Sequence, residues 1–154
     1  MILGAGLAAT LMSCSDKAAD KGDFKFLLDE FADVKVMRYQ VPGWDALSLQ
    51  QKEYVYHLAE AAKYGRDIIW MQNCRYNLDI RKMLENALEN YSGDRTSDDY
   101  VKFEAYAKRV FFSNGIHHHY AEDKFMPECP KEYFQAVMES VGESERCAEL
   151  IDVI

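Results

Sequence analysis

The densest run of chemically capable side chains is Ile116-His117-His118-His119-Tyr120, three imidazoles directly after Asn114-Gly115. Imidazole is a common metal ligand and the side chain that most readily exchanges a proton near neutral pH. Adjacent residues do not converge on one ion, however. Neighbours on a helix point about 100° apart and neighbours on a strand point to opposite faces. Productive zinc spacing is His-x-x-x-His on a helix with further ligands from elsewhere, and no His-Glu-x-x-His string occurs; His57 is followed by Leu58-Ala59-Glu60. The run therefore reads as a loop that lines a cleft or packs, rather than as a metal site.

Other chemistry is sparse. The chain has no Gly-x-Ser-x-Gly elbow for a serine nucleophile, no glycine-rich phosphate loop and no Cys-x-x-Cys pair. Its carboxylates fall mainly on the polar flanks of helical patterns, where solvation is sufficient explanation. Trp44 and Trp70 read as packing anchors. By residue types alone, no active site is complete.

Composition narrows the class. In 154 residues, 18 Lys+Arg stand against 26 Asp+Glu, a net charge of −8. An acidic chain is a poor match for the phosphate backbone, so no nucleic-acid partner is expected. Hydrophobic residues at 49% and charged residues at 29% are globular values, and four cysteines are too few to staple a fold of this length.

Residues 1–12 carry no charge and have the length of a secretory apolar core, too short for the roughly 20 residues that span a bilayer. They run into Leu11-Met12-Ser13-Cys14, which resembles a bacterial lipobox, although no Lys or Arg precedes the apolar stretch. The expectation is a leader over residues 1–13, lipidation at Cys14, and a polar tether over residues 14–22. Such a protein is anchored to a membrane by its lipid, in the periplasm or at the outer membrane. Cys74, Cys129 and Cys147 would remain, enough for at most one disulfide, with buried free thiols as the simpler outcome.

The elements that would position the histidine loop are mostly helical. Asp23 fits the cap of a short helix through Phe31, and Val34 to Val41 alternates like a strand stopped by Pro42-Gly43. Ser48-Leu49-Gln50-Gln51 fits a capping box, opening a helix whose Val55, Leu58, Ala59 and Ala62 share a face and which stops near Gly65. One long helix is expected from Arg66 to Tyr91, and another from Thr96 or Ser97 to Asn114-Gly115. Pro130 suits the start of the next, and Ser144 the cap of a last one bearing Cys147, Leu150, Ile151 and Ile154. This is a mainly α unit with one orphan strand, whose unpaired backbone and unfinished final apolar stripe suggest a piece of a larger body.

Two blocks carry a family resemblance. One is Tyr64-Gly65-Arg66-Asp67-Ile68-Ile69-Trp70-Met71-Gln72-Asn73; the other runs from Phe112 to Pro127 and contains Ser113, Asn114, Tyr120, Asp123, Lys124, Phe125 and Pro127. Together they resemble the N-terminal part of dipeptidyl peptidase III, in its bacterial lipoprotein branch. His118-His119 stands where that family more often has glycine and asparagine. The likeness extends from about residue 31 to residue 141 and is specific in these two blocks.

The resemblance implies a zinc exopeptidase that removes dipeptides from the N-termini of oligopeptides, built as two lobes around a cleft. Residues 23–154 would form the incomplete, mostly helical part of its lower lobe, a two-lobed α+β peptidase overall. The strand's partners would lie downstream, as would the zinc lobe with its His-Glu-x-x-Gly-His and Glu-Glu-x-x-Arg motifs. Zinc, ligands and general base thus belong to the full-length parent, and none is assigned to this chain, which alone would be inactive. Asn114, Tyr120, Asp123 and Lys124 match the loop facing the peptide cleft and are the expected substrate-binding residues. The alternative is a stand-alone helical lipoprotein that binds a peptide or a partner.

Overall fold

A computed structural model describes residues 24–154. The expected leader, Cys14 and the tether lie outside the described residues. The fold is mainly α, in the order β1 (Leu27–Phe31), β2 (Val34–Met37), a 3-10 turn (Trp44–Ala46), α1 (Leu49–Lys63), α2 (Arg66–Asn73), α3 (Asn77–Asn90), α4 (Asp98–Ser113), α5 (Lys131–Ser140) and α6 (Ser144–Leu150).

The strand is not an orphan. β2 pairs antiparallel with β1, matching Leu27 with Met37 and Phe31 with Val34, with a bulge between Leu27 and Asp29. The segment expected as a short helix is thus a strand. Its five residues are too few to hold a helix without packing, whereas Ala32 takes a left-handed φ of 49° that closes a two-residue connection to Val34. Ion pairs then tie the hairpin to α4: Lys108 Nζ lies 2.9 Å from Asp29 Oδ2, and Arg109 Nη2 2.9 Å from Asp33 Oδ1.

The caps follow local chemistry. Ser48 and Gln51 form the reciprocal capping box, Ser48 N–H donating to Gln51 Oε1 at 2.9 Å and Gln51 N–H to Ser48 Oγ at 3.3 Å. Ser97 Oγ accepts the Tyr100 N–H at the start of α4, and Asn114 ends it in a left-handed conformation (φ 55°, ψ 37°). Pro130 precedes α5 at its cap position. Glu143, rather than Ser144, occupies the N-cap position of α6, with no side-chain bond to the first turn.

The expected single helix from Arg66 to Tyr91 is two helices. Cys74 is extended (φ −155°, ψ 128°), and the Asn77 N–H to Cys74 O bond starts the next turn. The break lets Trp70 enter the core while Ile69 stays in solvent. That core joins α3, α4, α5 and α6. Tyr91 stacks on Tyr100 at 5.1 Å, and Phe103 meets Phe134 edge-on at 5.3 Å. Ile80, Met83, Leu84, Ala107, Val110, Val137 and Met138 fill the space between. The last apolar stripe docks here, with Cys147, Leu150 and Ile154 buried. Cys129 and Cys147 are buried free thiols, and burial raises the pKa of both.

α1 behaves differently. None of its residues is buried, and Leu49, Tyr54, Val55, Tyr56 and Leu58 all face solvent. The face shared by Val55, Leu58, Ala59 and Ala62 is uncovered. Trp44, expected as a packing anchor, is 39% exposed beside Lys52. No helix among the described residues is long and apolar enough to cross a membrane.

Candidate functional site

The histidine run sits in a loop hung between two buried anchors, Ile116 and Phe125. Phe125 N–H donates to Ile116 O at 2.8 Å, and His118 N–H to Asp123 O at 2.8 Å. With the bridge between His117 and Lys124, these bonds close the loop like a small hairpin. At its tip, Ala121 N–H reaches His118 O at 3.2 Å and Tyr120 N–H reaches His118 Nδ1 at 3.2 Å.

Elements distant in sequence fix this loop. Asn77, fully buried where α3 begins, accepts the Ile116 N–H at 3.2 Å. Gly115 packs so closely on Asn77 that a Cβ there would fall 2.2 Å from Asn77 Nδ2. The Arg109 guanidinium covers the Phe125 ring at 4.8 Å while pairing with Asp33 at the hairpin tip. The Asp33 carboxyl is held below its ordinary pKa first by its own backbone N–H and then by Arg109. Sequence reasoning did not single out Asn77, Arg109 or Asp33 because each acts from more than thirty positions, or across an element, away from what it touches.

The loop opens a cleft of about 710 Å³ lined by Asn73, His117, His118, His119, Tyr120, Ala121 and Glu122. The His118 and His119 rings stack at 4.5 Å with 27° between planes, and Tyr120 leans on His119 at 4.2 Å. Phe112 meets His119 edge-on at 5.2 Å from the α4 side. Of the four expected substrate-binding residues, Tyr120 lines this cleft. Asp123 and Lys124 are exposed on the return arm, where their backbones close the loop. Asn114 serves as the left-handed cap of α4, setting the direction in which the loop departs.

His118 Nδ1 is occupied by the Tyr120 N–H, His119 Nδ1 lies 3.4 Å from Ser113 Oγ, and the stacked rings share no common focus. Among the described residues, no group of three or more His, Cys, Asp or Glu is placed to hold a metal ion. The arrangement can accept and orient a ligand, through ring faces and through the Asn73 amide and Glu122 carboxylate; it holds no paired nucleophile and base.

Fold and site together define a mainly helical unit that presents one aromatic, partly polar loop beside a cleft. No protein-family model and no curated protein matches this chain.

Proposed function

We propose that this chain is the N-terminal part of a zinc-dependent, dipeptidyl peptidase III-like exopeptidase, carried on a lipid anchor at Cys14 in the periplasm or at the outer membrane. The observation that carries the reading is the behaviour of residues 113–127. Of the second block that gives the family resemblance, Tyr120, Asp123 and Lys124 lie on the loop closed between Ile116 and Phe125, with Ser113 and Phe125 buried as supports and Tyr120 lining the cleft. That is the arrangement expected of a segment that lines a peptide groove. Tyr120 contacts the oligopeptide; Asn114, Asp123 and Lys124 shape the loop.

The uncovered face of α1 supports the wider claim that this unit works against further polypeptide, the zinc lobe of the same parent. Exposed apolar side chains in this number on one helix mark an interaction surface. Zinc and the general base then come from that lobe, and this chain by itself releases no dipeptides. In the parent polypeptide, Tyr120→Ala raises KM for peptides several-fold and leaves zinc content unchanged; an unchanged KM overturns the peptide-facing role. A reading frame without an in-phase His-Glu-x-x-Gly-His downstream overturns the peptidase reading. The closed core of α3 to α6 favours the second reading, a stand-alone lipoprotein that binds peptides through the same cleft.

A further inference from the structure

We infer that the cleft around Tyr120 is a subsite for an aromatic side chain of the bound peptide, an inference that rests on the peptide-binding reading above. Tyr120 is 88% exposed, which leaves a large ring face in water on a loop that is otherwise pinned at both ends. Its inner side meets His119 at 4.2 Å with the planes tilted by 49°; His119 in turn stacks on His118 at 4.5 Å and takes Phe112 edge-on at 5.2 Å. The result is a cluster of aromatic rings whose outermost member, Tyr120, lies open to solvent.

The loop that carries this cluster is held ready before any ligand arrives. The Tyr120 N–H is bound to His118 Nδ1, which assigns the His118 ring proton to Nε2. The turn is closed by Ala121, and the loop is clamped through Ile116 by Asn77. A preorganised loop needs little further backbone ordering to accept a partner, so more of the ring-contact gain is retained in affinity. Ring pairs favour offset or edge-on contact at 4.5–7 Å over apolar contact of equal area, and the cluster already shows both geometries. Glu122 and Asn73 at the rim supply an acceptor and an amide for the peptide's own backbone.

The test uses the 154-residue chain and three blocked alanine tripeptides whose central residue is phenylalanine, cyclohexylalanine or lysine. Binding is followed by ring-proton shifts of His118, His119 and Tyr120. The phenylalanine peptide is expected to bind about 2- to 12-fold tighter than the cyclohexylalanine peptide, with upfield shifts at Tyr120. Tyr120→Ala removes the preference and Tyr120→Phe keeps it. Equal affinity for the two, tighter binding of the lysine peptide, a preference that survives Tyr120→Ala, or no binding of any peptide overturns the inference. Dipeptide release by the parent is read separately. If the parent cleaves peptides without aromatic preference, the subsite falls and the peptidase reading stands. If the preference is present and the parent cleaves nothing, the reverse holds.

Discussion

Replacing Gly115 by alanine places a methyl group where the structure has no room for one. The added Cβ would lie 2.2 Å from Asn77 Nδ2 and 2.8 Å from Asn77 Cγ. Asn77 is 1% exposed and cannot swing into solvent; to yield, it must give up the Ile116 N–H that its Oδ1 accepts. Overpacking a closed site costs about 1–3 kcal/mol, and a buried N–H left without an acceptor costs about 1–3 kcal/mol. Partial relaxation of the loop offsets some of the sum, so the expected loss is about 2–4 kcal/mol. Urea unfolding at 25 °C reads this as a lower midpoint at unchanged slope. Asn77→Ala alone is expected to cost less, about 1–2 kcal/mol, because it also removes the buried Asn77 Nδ2 that has no partner. On that background the methyl group has space and the cost of Gly115→Ala falls by about 1–2 kcal/mol, what remains being the backbone at φ 159°. A Gly115→Ala loss below about 0.5 kcal/mol, or the same loss with and without Asn77, refutes the clamp.

Three further outcomes are expected. Ser48→Ala removes one half of the capping box and weakens α1 by about 1 kcal/mol; because α1 buries nothing, faster amide exchange confined to residues 49–63 is the signature, and an equal fall in global stability contradicts it. Asp29 titrates below its ordinary value because Lys108 donates to it, and Lys108 above its own because of Asp29. A depressed carboxylate contributes above its unfolded pKa and is lost as pH falls through the folded one, so the hairpin stays docked at neutral pH and loosens below about pH 4. Hairpin amide shifts followed by NMR show it, and Lys108→Ala removes the part carried by Asp29 while the part carried by Asp33 and Arg109 remains. Phe103→Ala, a fully buried ring packed on Tyr100 and Phe134, costs about 3–5 kcal/mol in the same urea assay; a cost under about 1.5 kcal/mol contradicts the core described.

Caps and stops were legible because their chemistry is local. Ser48 with Gln51, Ser97, and Asn114 before Gly115 each bond or turn within a few residues of themselves. The pairing of β1 was not, since it depends on Val34 to Met37 across the turn and on Lys108 and Arg109 from α4. The interruption at Cys74 has no proline or glycine to announce it; it is imposed by getting Trp70 and Ile80 into one core. Periodicity placed Val55, Leu58 and Ala62 on one face of α1, but a stripe says that a helix wants cover, not where the cover comes from. At the site, the histidine run and Tyr120 were visible as a loop, and the cluster they form was not. Stacking of His118 on His119 follows from the tight turn at Tyr120 and Ala121, and Asn77, Arg109 and Asp33 reach the loop only through tertiary packing.

The proposed function stands or falls most directly on peptide cleavage. Dipeptide release from an arginine-arginine naphthylamide is measured for this 154-residue chain and for the same chain carried on into its downstream reading frame, each with and without a zinc chelator. The account predicts zinc-dependent release by the longer polypeptide and none by the chain alone. Release by the 154 residues themselves, or no release by the longer polypeptide loaded with zinc, would contradict it.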